Sequence, residues 1–261
     1  MHWPRRDSKK SAVSKVIGQR HEGQDEYNHF ITPNPPAPAD IPRAEIAYAC
    51  VMNIVFDFGN VLFEWNPARL ITHHYEAPDG KVPHAETFAD TLINHQDWLD
   101  FDLGLIDSQQ LAERSARRLG LDADGLRTFV DRIPHVLPLC EPTIALMNEL
   151  ADGLHGAHRV VYLSNMPSAF ATVLEARCPW IGRFEDGIFS GRVKLAKPDA
   201  AIYAAAEVQL NLDPANTLFL DDSAPNVHAA RARGWRAEVI THPHNDESVR
   251  KALVAHGVLR N

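Results

Sequence analysis

Four short segments of this 261-residue chain carry side chains that could do chemistry together: Asp57, Ser164-Asn165, Lys197 and Asp221-Asp222. Carboxylates can hold a hard cation, act as nucleophiles or carry protons. A lysine can offset negative charge, and hydroxyl and amide groups can donate hydrogen bonds. Each segment alone has a plainer explanation. Asp57 could simply end an apolar run in a turn, and Ser164 and Asn165 both favour turns. Lys197-Pro198-Asp199 could open a helix with the lysine in solvent, and Asp221-Asp222 could cap one at its positive end. The plain readings leave the shared position unexplained, because each segment ends a short apolar stretch or lies in the loop beyond one.

Those stretches read as buried strands. Residues 53–56 (NIVF), 159–163 (RVVYL), 217–220 (TLFL) and 236–240 (RAEVI) are brief and rich in apolar and β-branched residues. Near-continuous apolar strands suit a parallel sheet covered on both faces. Between them, helices are expected over 142–150, 199–210 and 224–233, with Pro142 near the start of the first and Gly234 closing the last. This alternation predicts an α/β fold, a doubly wound, Rossmann-like parallel sheet. Ligands of such sheets bind outside the carboxyl ends of the strands, where strand order reverses. Residues 67–139 hold helical patterns but no convincing strand. Asp107-Ser108-Gln109-Gln110 reads as a capping box opening a helix that runs to Gly120. A second helix is expected over 122–132, broken afterwards by Pro134 and Pro138. The expected organisation is a core formed by 52–66 and 140–261, with a small helical cap, 67–139, inserted after the first strand.

Composition bounds the partners. Hydrophobic residues make up 45% and charged residues 23%, a globular balance that excludes a wholly disordered, collagenous or coiled-coil chain. No apolar run is long enough to span a bilayer. The formal net charge of −8 argues against nucleic acid and anionic membranes, while leaving room for a small anion in a local pocket. Cys50, Cys140 and Cys178 are odd in number and far apart, which suggests neither a disulfide framework nor a zinc site and fits a reduced cytoplasmic compartment. Residues 1–51 are basic and then proline-rich. They are expected to be a disordered leader, or to precede the real start at Met52, and they lack the apolar core of a secretory signal.

Read in order, Asp57-Phe58-Gly59-Asn60-Val61-Leu62, Leu163-Ser164-Asn165, Lys197-Pro198-Asp199 and Leu220-Asp221-Asp222-Ser223 resemble the four motifs of the haloacid dehalogenase-like (HAD) hydrolase superfamily. The resemblance covers roughly residues 53–240, and the cap sits where that superfamily carries its own. Within it, the chain is most similar to bacterial sugar phosphatases of the α-D-glucose-1-phosphatase type. These share the Asp-Leu/Phe-Gly-Asn-Val opening and a cap segment like Asp102-Leu103-Gly104-Leu105-Ile106. The resemblance implies a phosphatase in which Asp57 attacks phosphorus to form an aspartyl-phosphate. It implies Lys197 as a catalytic charge and Ser164, Asn165 and Lys197 as phosphate ligands. It also implies a Mg²⁺ cofactor held by Asp57, the Gly59 carbonyl and Asp222, with Asp221 in support. The implied partner is a small phosphorylated metabolite, a sugar phosphate, with monomer and homodimer both open. Positioning and electrostatics carry most phosphoryl-transfer catalysis, so these are the parts that chemistry needs.

One position departs from the superfamily's pattern. Most of its phosphatases place a second aspartate two residues after the nucleophile as general acid and base, and here that position is Gly59. Losing a general acid typically costs ~10²–10⁴-fold in rate. Glu64, Asp102 or a cap histidine could substitute. Two rivals follow: a metal-independent 2-haloacid dehalogenase, and a catalytically weak binding or regulatory relative. Asp221-Asp222 speaks against the first, since carboxylates crowded beside the nucleophile repel without a cation. Gly59 is the sole support for the second. His73-His74 and His242/His244 read as chance neighbours among 14 histidines, and Trp98 and Phe101 as cap core.

Overall fold

The computed structural model describes residues 51–75, 85–241 and 246–260. Residues 1–50 of the expected leader, and the pair His242 and His244, lie outside them. Strand β1 (Asn53–Phe56) is buried along its whole length and forms the centre of a five-stranded sheet. Strand β2 (Arg159–Ser164) lies on one side of it and β4 (Thr217–Asp221) on the other. The edges are β3 (Asp186–Phe189) and β5 (Arg236–Val239), giving the order β3-β2-β1-β4-β5 with every pair parallel. The chain therefore winds outward from β1 in one direction, then returns to wind in the other, and β1 flanks the point of reversal. Register places Phe56 beside both Tyr162 and Leu220, so the residues after all three strands emerge at one carboxyl edge.

Alternation along the strands divides the core into two faces. Ile54, Phe56, Val160, Tyr162, Leu218 and Leu220 share one apolar cluster, while Val55, Val161, Leu163 and Phe219 share the other. The first face is covered by α6 (Glu141–Ala151), α7 (Ser168–Arg177) and α11 (Glu247–Ala255). The second is covered by α9 (Ala200–Gln209) and α10 (Ala224–Ala232). A four-residue helix, α8 (Ser190–Val193), follows β3. This is the expected doubly wound α/β fold. One strand differs from expectation. Strand β3 escapes sequence reading because it is four residues long and begins with an exposed aspartate. Its Gly187 is required, since a Cβ there would lie 2.3 Å from the Tyr162 ring.

Among the described residues, five helices run between β1 and α6: α1 (Pro67–Tyr75), α2 (Ala85–Ile93), α3 (Gln96–Asp102), α4 (Ser108–Leu119) and α5 (Ala123–Val136). The outgoing and returning chains are tied together by Glu64 N–H to Pro138 O and Cys140 N–H to Leu62 O, both 2.9 Å. Helix α4 opens with the expected capping box, Asp107 and Gln110 bonding each other's backbone, and closes at left-handed Gly120. Helix α5 corrects the expected break, because it runs through Pro134 to Val136. Proline this close to the end removes one intrahelical bond. The Arg177 guanidinium, reaching from α7, donates to the carbonyls of Pro134 and Leu137, which meets the needs of the final turn. Cys140 and Cys178 are buried free thiols.

Candidate active site

Asp57 stands one residue beyond β1 and is 6% exposed, its backbone N–H donating to Leu220 O at 2.9 Å. Lys197 reaches it from the loop before α9. Its Nζ lies 2.8 Å from Asp57 Oδ1 and 2.7 Å from Asp221 Oδ2. Burial alone would lower the lysine, but the Asp221 and Asp57 carboxylates together hold it above the ordinary value. Burial pushes the Asp57 carboxyl up to about 7; Lys197 opposes this, while Asp221 and Asp222 add to it. Burial also raises Asp222, against the hydrogen bond it accepts from Asn60. One cation thus stands among three crowded carboxylates.

Oxygen atoms of Asp57, Asp221 and Asp222 lie within 4.8 Å of one another, the one such cluster among the described residues. Their donor set is all hard oxygen, and Lys197 offsets one of the three charges, which together suit a divalent hard cation. Asp222 and Gly59 line the cavity beside Asp57, so these three residues fit such an ion. Asp221 has different surroundings. It is fully buried, and its oxygens accept from Lys197 Nζ, Ser223 N–H at 2.7 Å and Asn226 Nδ2 at 3.0 and 3.1 Å. With its lone pairs so occupied, it anchors Lys197 rather than facing the cavity.

Ser164 closes β2 and lines the same cavity. Asn165 lines it too. Its Oδ1 accepts from Lys197 N–H at 2.8 Å, and its Nδ2 donates to Lys197 O at 2.9 Å, so its side chain also clamps the lysine's backbone from both sides. Asn60 and Asn226 are site residues that sequence reading did not single out. Asn60 adopts φ 51°, donates to Asp222 Oδ2 at 2.9 Å and accepts from Trp65 N–H at 2.9 Å. Its position after Gly59 was the available signal, since asparagine tolerates the left-handed region. His73 lines a different hollow, and no histidine joins a metal-holding cluster among the described residues.

The cavity, about 260 Å³, has a polar floor at the sheet edge and an apolar roof. Trp65, Ile93, Trp98, Leu99, Leu137 and Phe170 line the roof, and Asp102 at the end of α3 is its one carboxyl. Trp98 and Phe101 are 5% and 2% exposed, as cap core should be, yet Trp98 also presents a wall to the cavity.

The sesquiterpene phosphatase astK of Aspergillus oryzae (strain ATCC 42149 / RIB 40) is 28% identical over 183 residues, covering 69% of this chain and 85% of that protein. The drimenol cyclase drtB of Aspergillus calidoustus is 24% identical over 204 residues, 78% of this chain but 36% of that longer protein. Among solved structures, a HAD family enzyme of Bacteroides thetaiotaomicron in complex with magnesium and inorganic phosphate superposes with a TM-score of 0.59. It has 20% identity and covers 73% of this chain and 94% of that one. The L-2-haloacid dehalogenase of Xanthobacter autotrophicus superposes at 0.57 with 20% identity, covering 80% and 85%. At such identities these two structures speak to the fold. A family model for haloacid dehalogenase-like hydrolases matches residues 51–234, and the chain belongs to that family.

Proposed function

We propose that this hydrolase is a Mg²⁺-dependent phosphatase whose substrate is a small phosphate monoester with an apolar body. The observation that carries the reading is one cavity joining a carboxylate–lysine floor to an aromatic and aliphatic roof. On the floor, Asp57 attacks phosphorus, Lys197 offsets the charge of phosphate and nucleophile, and the Ser164 hydroxyl donates to a phosphoryl oxygen. Mg²⁺, held by Asp57, Asp222 and the Gly59 carbonyl, supplies the remaining positive charge when bound. Asp221 and Asn165 position Lys197 through its ammonium and its backbone.

The roof favours a hydrocarbon over the sugar phosphate expected from sequence. A sugar's hydroxyls lose hydrogen bonds to water on binding and need partners in return. Trp65, Ile93, Trp98, Leu99 and Phe170 offer carbon surface apart from the indole N–H groups. Similarity to a sesquiterpene phosphatase is in keeping with this, since such a substrate is a hydrocarbon bearing phosphate. The test is phosphate release from alkyl and isoprenyl monophosphates by the 261-residue chain, before and after EDTA, with Mg²⁺ restored last. Activity that vanishes with EDTA and returns with Mg²⁺ supports the reading. Halide release from 2-haloacids unaffected by EDTA would replace it with dehalogenation.

A further inference from the structure

An alkyl phosphate makes the vacancy at Gly59 more demanding. Its leaving alkoxide is strongly basic and needs a proton as the P–O bond breaks. Space does not explain the glycine, since a Cβ there would meet nothing nearer than Trp65 Cβ at 3.7 Å. Of the substitutes that the sequence offers, Glu64 lines a separate hollow and pairs with Arg69 at 2.7 Å. His73 and His74 line that hollow and another, away from Asp57. His95 is engaged at the start of α3, accepting from Asp97 N–H. Asp57, Asp222 and Lys197 on the cavity wall already have work to do. Asp102 is the ionisable side chain that remains there.

Its placement is well determined. The Asp102 carbonyl accepts from Ser190 Oγ at 2.6 Å, and the same Oγ accepts from Met166 N–H at 2.8 Å. Two residues on, Gly104 packs so closely on α8 that a Cβ would lie 2.5 Å from Gly191 O. These contacts fasten the end of α3 to the loop after β2 and to α8, so Asp102 belongs to the roof yet is held by the core. Its carboxyl has no ion pair or hydrogen bond among the described residues. Asp97 and Asp100 of the same helix turn instead toward Arg114, at 3.7 and 3.6 Å.

We propose that Asp102 is the general acid and base of this site, delivering from the cap the proton that position 59 cannot. The proposal rests on the phosphatase reading. As the Asp57 oxygen bonds to phosphorus and the ester P–O bond breaks, the Asp102 carboxyl gives its proton to the departing alkoxide. Water then attacks the aspartyl-phosphate, the Asp57–phosphorus bond breaks, and the Asp102 carboxylate takes the proton that the water loses. Alcohol and hydrogen phosphate leave, and both aspartates regain their starting states. Burial pushes the Asp102 carboxyl up to about 7, with Lys197 opposing, so both protonation states are populated near neutrality. The other charged groups on the cavity wall are Asp57 and Asp222.

The test compares leaving groups. Initial rates of the Mg²⁺-loaded 261-residue chain are measured on n-octyl phosphate and on p-nitrophenyl phosphate, whose phenolate leaves without a proton. Asp102→Asn, a near-isosteric change, should lower kcat/KM on the octyl ester by about 10²–10⁴-fold and on the aryl ester by less than about tenfold. Adding Gly59→Asp to Asp102→Asn should recover at least about tenfold on the octyl ester, showing that the lost group is a proton donor and not a packing element. Equal losses on both esters, or no loss on either, would overturn the proposal while leaving the phosphatase reading intact. A wild-type chain inactive on both esters would sink that reading and the proposal with it.

Discussion

Floor and roof of the one cavity are built on opposite principles. On the floor the charged groups hold one another: Lys197 stands between Asp57 and Asp221, Asp221 is also held by Ser223 and Asn226, and Asp222 by Asn60. The roof is carbon with one carboxyl, Asp102, that has no ion pair or hydrogen bond among the described residues. Such a network fixes charges in place before the reaction, which is what stabilising a phosphoryl transition state asks of a protein. An apolar wall fixes nothing so sharply but selects what can enter dry. On the proposed reading the floor sets the reaction, and the roof sets the substrate and delivers the proton.

Breaking the floor should cost the most. Asp57→Asn removes the nucleophile, and turnover should fall by roughly 10⁴-fold or more on alkyl and aryl esters alike. Lys197→Ala should lower kcat by about 10²–10³-fold. It should also destabilise the fold by about 3–5 kcal/mol in urea titration, because Asp57 and Asp221 lose their buried counter-ion. A mutation in the roof should read differently. Leu99 lines the cavity but is 40% exposed, so Leu99→Ala should leave stability within about 0.5 kcal/mol. Losing that much carbon contact should raise KM for a long alkyl phosphate by up to about tenfold, with kcat and short aryl esters moving less.

A further prediction concerns pH. Burial raises both Asp57 and Asp102 to about 7 in the fold, above their unfolded values, so the folded chain binds more protons between about pH 4 and 7. Their contribution to stability is fullest below that window and is lost as pH rises through about 7. The Mg²⁺-free chain should therefore melt higher at pH 5 than at pH 8. Asp102→Asn should shrink that difference, and Mg²⁺ at pH 8 should raise the melting point of the wild type.

The contrast also governs what was legible in the sequence. Strands β1, β2 and β4 announce themselves as short apolar runs, and their polar endings carry the floor. Strand β3 was not visible, because DGIF is too brief and too polar at its start to signal burial. Pro134 misled in the other direction, because a guanidinium 43 residues away supports the helix end it was expected to break. Asn165 also clamps Lys197, a role written 32 residues away. Asn60 and Asp222 meet across 162 residues. Such pairings belong to the fold and leave no local pattern. The roof was least readable of all, since helical periodicity shows which residues are apolar but not that Trp98 both fills the cap and lines the cavity.

One measurement tests the division most directly. The Mg²⁺-loaded chain is given equal concentrations of an isoprenyl monophosphate and a hexose 1-phosphate, and the two products are followed together. The account predicts that the isoprenyl ester is consumed first, with kcat/KM higher by at least about tenfold, and that EDTA stops both reactions. Preferential consumption of the hexose phosphate would contradict it, as would isoprenyl turnover that survives removal of the metal.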